Sequence, residues 1–134
     1  MTKKIKIAVS VIVLVFLLLA GGVIPAGKAK THSDYYSDRE INSAIFMAKL
    51  YFALNFKGCD LIDIDYAGDE SIPAAEAWVD DSHARKAIIL TSSFNVDSSG
   101  GDGSLEPNKT YKGWHWIMIS YLGFIYHHKT HGYG

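Results

Sequence analysis

The segment from Asn95 to Glu106 carries oxygen-bearing side chains at the spacing of a calcium-binding loop. Counted from Asn95, oxygens stand at positions 1, 3, 5 and 12, and a glycine occupies position 6, where such a loop turns sharply. Ca²⁺ takes about six to eight hard oxygen ligands, and a glutamate at position 12 supplies two of them. The ligands that this pattern predicts are Asn95, Asp97, Ser99, Gly101 and Glu106.

Two features of the same segment favour an ordinary loop instead. Position 1 is Asn where Asp is usual, and position 8 is Asp102 where an apolar residue is usual. Loops rich in Asp, Ser and Gly are also common because these residues satisfy the backbone of tight turns. A structural or recognition loop is therefore the preferred interpretation, and a Ca²⁺ site is the alternative. The sequence indicates no resident cofactor apart from that Ca²⁺.

Histidines and tryptophans near the C-terminus form a second candidate site. His115, His127 and His131 have the same alternation parity within two neighbouring predicted strands, so they could converge on Zn²⁺ or Cu²⁺. The alternative is a set of exposed polar residues near the chain end. Trp114 and Trp116 flank His115, and a pocket between a helix and a sheet could use them to bind a ligand. The candidate ligand-binding residues are therefore Trp114, His115 and Trp116, although tryptophans that simply fill the core explain the same pattern.

Enzymatic chemistry has weaker support. A small enzyme could use His115 with a carboxylate, and Asp63 and Asp65 share one face of a predicted strand, where they could act as acid and base. The solvated face of an outer strand explains that pair more simply. The sequence contains no nucleophile elbow, zinc-protease helix, phosphate-binding loop or dinucleotide fingerprint. A non-enzymatic protein is the preferred interpretation.

The elements that must position these residues follow from local patterns. Ser37 and Glu40 form a capping box, and apolar residues at helical spacing follow it up to Lys57-Gly58. Alternating residues predict strands over 59–66, 86–96, 111–121 and 125–131, and Pro73 begins a short helix. Because the last three strands follow one another without helices, the fold class is α+β. We expect a long N-terminal helix packed on an antiparallel sheet of about four strands, with a second short helix.

Residues 1–29 have the layout of a secretory signal peptide. Three lysines precede an uncharged apolar run from Ile7 to Ala20, and small residues allow cleavage after Gly22, Ala26 or Ala29. The alternative is an uncleaved N-terminal membrane anchor. Residues 30–36 then form a linker and residues 37–134 a single domain. Either form places the domain outside the cytoplasm, secreted or at the cell surface, and the membrane is a partner only through the N-terminal segment.

Charge limits the partners of this chain, and its cysteine content limits how the domain is stabilised. The chain has 13 basic and 14 acidic residues without a basic stripe, which argues against a nucleic-acid partner. The single cysteine, Cys59, excludes an intramolecular disulfide, so the domain depends on its core for stability. A small buried hydrophobe is the expected role of Cys59.

The segment SSFNVDSSGGDGSLEPNKTYKGWHWIMIS (92–120), together with the closing HGYG, resembles a family of small extracytoplasmic domains from Firmicutes. The similarity covers most of residues 37–134, and the loop followed by the W-x-W-I strand is its specific part. The resemblance implies a compact α+β fold of the cystatin or nuclear-transport-factor-2 (NTF2) type and supplies no activity. This chain departs from the pattern at residues 122–126, where a polar turn followed by Trp is expected.

The sequence thus predicts an exported, non-enzymatic binding module at the cell envelope. Loop 97–110 and the neighbouring aromatic residues are the expected contact surface, because loops held on a rigid sheet commonly carry recognition. The partner is an envelope component, another protein or a small ligand. The alternatives are a calcium-binding extracellular module through loop 95–106 and a small enzyme with a pocket between helix and sheet.

Overall fold

The computed structural model describes residues 3–20 and 31–133. The chain order is α1 (Lys3–Ala20), α2 (Asp38–Asn55), β1 (Cys59–Tyr66), a 3₁₀ turn (Asp69–Ser71), α3 (Ile72–Ser82), β2 (Lys86–Val96), β3 (Thr110–Ser120) and β4 (His127–Tyr133). The three candidate cleavage positions lie outside the described residues. Within the described ranges, no helix combines the length and the apolar character needed to cross a membrane.

The strands form one antiparallel sheet in the order β1-β2-β3-β4. The predicted α+β class and four-stranded antiparallel sheet are confirmed. The helix against the sheet's large core is α2, the second described helix, which begins at the predicted capping box: Ser37 Oγ accepts from the Glu40 amide, and Glu40 accepts from the Ser37 amide. Helix α3 covers part of the opposite face.

Each face of the sheet has its own core. On the α2 side, Ile41 and Ile45 are buried in one cluster with Leu90, Phe94 and Trp116. The smaller cluster on the α3 side consists of Ala75, Ala87, Ile89, Ile117 and Ile119. Trp78 and Val79 pack against it from α3, whereas Ala74 and Ala77 are exposed.

A β-bulge in β1 changes which side chains face the core. Leu61 pairs with Phe94 and Asp63 pairs with Ser93, so Ile62 is the extra residue. Leu61 therefore packs against the α2-side core with Ile64, whereas Ile62 is 53% exposed. Strict alternation along residues 59–66 predicts that Ile62 and Ile64 lie on the same face of the sheet. That prediction is wrong, because β1 is an edge strand and edges commonly accommodate bulges.

Residues 31–36, assigned to a linker from the sequence, pack on the domain instead. Thr31 donates through its amide and hydroxyl to the Asp65 carboxylate, and Ser33 Oγ donates to Asp69. Tyr36 is buried, and its hydroxyl donates to the Ala87 carbonyl at 2.5 Å. The folded domain therefore includes residues 31–36. The segment is polar, as a linker would be, because its side chains donate hydrogen bonds to the end of β1, to the 3₁₀ turn after it and to the start of β2.

Candidate functional site

A cleft of about 450 Å³ opens where α2 ends, between that helix, the loop after β2 and the two C-terminal strands. Four rings line it, and the polar lining includes an amide, a hydroxyl, a carboxylate and an ammonium group. The rings belong to Tyr51, Phe56, Trp114 and His131. The polar groups belong to Asn55, Lys57, Asp102 and Ser104. Such a mixture of apolar surface and a few polar groups is typical of small-ligand sites.

The cleft rings are fixed by contacts with one another. Phe56, the C-cap residue of α2, lies with its ring centroid 5.0 Å from that of His131 and 6.1 Å from that of Trp114. The His131 ring stacks on Trp114 with a centroid distance of 5.8 Å and an interplanar angle of 27°. The lining is therefore supplied by side chains that already pack into the core, and a ligand would meet a largely preformed surface.

Trp114 contributes an unpaired hydrogen-bond donor. Its side chain is largely buried, and among the described residues Nε1 has no hydrogen-bond partner. A buried donor left without an acceptor costs about 1–3 kcal/mol. The N–H is itself shielded from solvent, so it adds a local cost to the fold and not an open donor on the cleft surface.

The loop after β2 is held in a definite conformation. Asp97 Oδ1 accepts from the amide and hydroxyl of Ser99, and Asp102 Oδ1 accepts from the amide and hydroxyl of Ser104. These hydrogen bonds lower the pKa of both carboxyl groups. Leu105 anchors the loop on the α2-side core. Two successive Asx-type turns thus fix the loop wall of the cleft.

The predicted calcium ligands are only partly brought together. Asp97 and Ser99 are hydrogen-bonded, and Ser99 Oγ lies 3.2 Å from the Gly101 carbonyl oxygen. Asn95 instead accepts from Thr110 Oγ1 at 2.5 Å, and Glu106 pairs with the Lys109 ammonium at 2.8 Å. A Ca²⁺ ion would have to draw these last two residues away from their partners.

A β-bulge in β4 regroups the histidines. Ile117 pairs with Thr130 and Met118 pairs with His128, which leaves Lys129 as the extra residue. His131 pairs with Trp116, so His128 and His131 both lie on the α2 side, beside Tyr51. The predicted convergence of His115, His127 and His131 is wrong, because the bulge reverses the parity between residues 127 and 131.

His131, which lines the cleft, forms a close pair with His128 beside it. His128 Nε2 lies 2.9 Å from His131 Nδ1, and Tyr51 stacks on His128 with a centroid distance of 3.7 Å and an angle of 14°. Burial, followed by the neighbouring His131 and His127, lowers the pKa of His128 to about 4. Burial also lowers the pKa of His131. Both imidazoles are therefore neutral at pH 7.

Of the three candidate ligand-binding residues, Trp114 lines the cleft. Trp116 is fully buried beneath it, and its Nε1 donates to Ser92 Oγ at 2.8 Å. His115 pairs with Gly132 and lies on the opposite face of the sheet from Trp114 and Trp116. Asp65, half of the candidate carboxylate pair, holds Thr31.

Phe56 and His128 are not among the candidate residues predicted from the sequence. Phe56 belongs to the apolar run that ends at Lys57-Gly58, and its place at the cleft depends on where the helix ends over the sheet. In a regular strand, residues three apart point to opposite faces, so the spacing His-x-x-His indicates a pair only where a bulge lies between the two histidines. Across residues 3–20 and 31–133, no group of three or more His, Cys, Asp or Glu side chains is arranged to hold a metal ion.

Comparison with known proteins gives this chain no relatives. No protein family, no curated protein and no solved structure matches it.

Proposed function

We propose that this chain is an exported, non-enzymatic binding module whose ligand occupies the cleft between the end of α2, loop 97–109 and strands β3 and β4. The observation that supports it most is the aromatic wall of that cleft, formed by Tyr51, Phe56, Trp114 and His131 beside a few polar side chains. Export is supported by the N-terminal lysines and the apolar run that follows them. A cystatin- or NTF2-type fold is part of the proposal, supported by α2 packing on an antiparallel four-stranded sheet.

A sugar unit of an envelope glycan is the ligand class that suits this lining best. A pyranose ring presents an apolar C–H face that can stack on Trp114 or Phe56, and its hydroxyls can both donate and accept. Asn55, Asp102 and Ser104 supply the complementary groups.

The test uses the full chain with ¹⁵N-labelled tryptophan and N,N′-diacetylchitobiose as the first probe, followed by neutral and acidic disaccharides. We expect the Trp114 indole resonance to shift and saturate, whereas the Trp78 indole on the other face stays in place. Trp114→Phe removes the larger indole face and should weaken binding, whereas the control variant His115→Gln, on the opposite face, should bind normally. A Trp114 resonance that no saccharide moves would contradict a sugar ligand.

Calcium binding by loop 95–106 is the second candidate function, favoured by the clustered oxygens of Asp97, Ser99 and Gly101. A ligand that binds only the native state stabilises it, by about 2.7 kcal/mol at a hundred times its Kd. Calcium binding therefore predicts a higher unfolding temperature in millimolar Ca²⁺ than in EDTA, lost in Glu106→Gln and kept in the control Glu70→Gln. Equal unfolding temperatures in Ca²⁺ and EDTA reject this candidate for any site tighter than about millimolar.

A further inference from the structure

Two imidazole nitrogens face each other on the edge strand β4. His128 Nε2 and His131 Nδ1 are 2.9 Å apart, so one ring donates its N–H and the other accepts it. The same two nitrogens are the atoms that a transition metal would take as ligands. We infer that His128 and His131 form an open two-histidine site for a divalent transition metal, Cu²⁺ in preference to Zn²⁺, with water completing the coordination.

The spacing of the two nitrogens favours Cu²⁺. At metal–nitrogen distances of about 2.0 Å, nitrogens 2.9 Å apart subtend an angle of about 90° at the metal. That is the angle between adjacent ligands in the tetragonal geometry of Cu²⁺, whereas tetrahedral Zn²⁺ needs the two nitrogens farther apart. Cu²⁺ also binds nitrogen sites most tightly among the divalent first-row metals. Binding requires the donor ring to change tautomer: its proton leaves the nitrogen that faces the partner ring, and its other ring nitrogen takes up a proton from solvent. Both rings also turn so that their lone pairs converge on the metal.

Aromatic rings flank the pair, and the site is open on the side of the cleft. Tyr51 stacks on His128, and Trp114 stacks on His131. His131 lines the cleft, which gives a hydrated ion access to the pair. No third acidic, histidine or cysteine side chain of the described residues joins them in a metal-binding group. The remaining positions on the metal are therefore left to water or to a donor atom of the cleft ligand.

Fluorescence of the full chain provides a direct test with CuCl₂. Bound Cu²⁺ quenches nearby indoles, and the rings of Trp116 and Trp114 lie 5.3 and 5.8 Å from that of His131. We expect saturable quenching at one Cu²⁺ per chain and an electron paramagnetic resonance spectrum with two coupled nitrogens. Replacing either histidine should weaken Cu²⁺ binding at least about tenfold, because half of the protein ligands are lost.

His128→Gln is the decisive variant, because His131 packs among core rings and its replacement can disturb the fold. Circular dichroism of each variant establishes whether it is folded before titration. His115→Gln, on the other face of β3, is the matched control and should titrate like the unmodified chain. Quenching that is unchanged in folded His128→Gln, or a spectrum with one coupled nitrogen, would overturn the assignment. Saccharide binding is measured without metal, so the two proposals can fail separately.

Discussion

Lys86 at the start of β2 forms a salt bridge with Glu40 in the first turn of α2, with Nζ and Oε1 2.5 Å apart. Only 13% of the Glu40 side chain is exposed. The same carboxylate accepts from the Ser37 amide in the capping box, and the Tyr126 hydroxyl donates to it at 3.4 Å. One side chain thus connects the start of α2 to β2 and to the residue that precedes β4.

Glu40→Gln should lower the free energy of unfolding by about 1.5–3 kcal/mol, the range for hydrogen bonds that involve a charged group. Gln can still cap the helix, so the loss measures mainly the charge and the contact with Lys86. Urea unfolding of Glu40→Gln, Lys86→Met and the double variant forms a cycle that isolates their coupling. Strictly additive effects of the two substitutions would show that the salt bridge contributes no coupling.

The same carboxylate should make stability depend on pH in the acid range. Burial raises the pKa of Glu40, but hydrogen bonds from Lys86 and the Ser37 amide outweigh it and hold the pKa below its usual value. Since the folded pKa is the lower one, this stabilisation is complete above the ordinary carboxyl range and is lost as the pH falls through the folded pKa. Urea midpoints measured between pH 6 and pH 3 should therefore fall less steeply for Glu40→Gln than for the unmodified chain.

The histidine pair should make the free energy of unfolding depend on pH in a second range, above the range set by Glu40. The pKa of His128 falls from 6.5 to about 4 on folding, so the unfolded chain takes up a proton first as the pH drops. The native state is then most stable above about pH 6.5 and loses stability down to pH 4. After allowance for solvent screening of this half-buried group, the loss is about 1 kcal/mol. His128→Gln should remove it, and His32→Gln, on an exposed residue, should not.

Local patterns predicted the elements of this fold well, because caps and periodicity act within one element. Ser37 and Glu40 specify the start of α2 by themselves, and the alternation in β2 and β3 identifies two central strands. The bulges at Ile62 and Lys129 could not be predicted in this way. An extra residue in one edge strand is defined by the strand it pairs with, and alternation within a single strand contains no information on that register.

The candidate site was predictable only in part for the same reason. Loop 97–110 and Trp114 were found from composition and local sequence. Phe56 and His131 reach the cleft through the packing of α2 across β3 and β4, which no local pattern specifies. The prediction of a linker over residues 31–36 is wrong, because the Tyr36 hydroxyl donates to the Ala87 carbonyl, which lies 51 residues away in the sequence.

Gly100→Ala should destabilise the domain through the loop that walls the cleft. Gly100 has φ +69°, and an added Cβ would lie 2.6 Å from the Leu105 carbonyl oxygen. Gly113 is the matched control, because it has nearly the same φ, +68°, but no described atom within 4 Å of an added Cβ. Both alanines carry backbone strain of about 1–3 kcal/mol, and Gly100→Ala should lose more stability because it alone adds the clash. Equal urea midpoints for the two variants would show that the loop relaxes around the methyl group.

Ser92→Ala tests the hydrogen bond between Ser92 and the buried Trp116 side chain beneath the cleft. Ser92 Oγ accepts from Trp116 Nε1 at 2.8 Å and donates to the Trp114 carbonyl at 3.2 Å, so one hydroxyl serves both cleft-side tryptophans of β3. Its removal leaves a buried indole N–H without an acceptor, which should cost about 1–3 kcal/mol of unfolding free energy. Trp116→Phe in the Ser92→Ala background removes the orphaned donor but also leaves a cavity. The two substitutions together should therefore destabilise the domain less than the sum of their separate effects. An additive result would mean that water or a shifted side chain accepts the Trp116 N–H in Ser92→Ala.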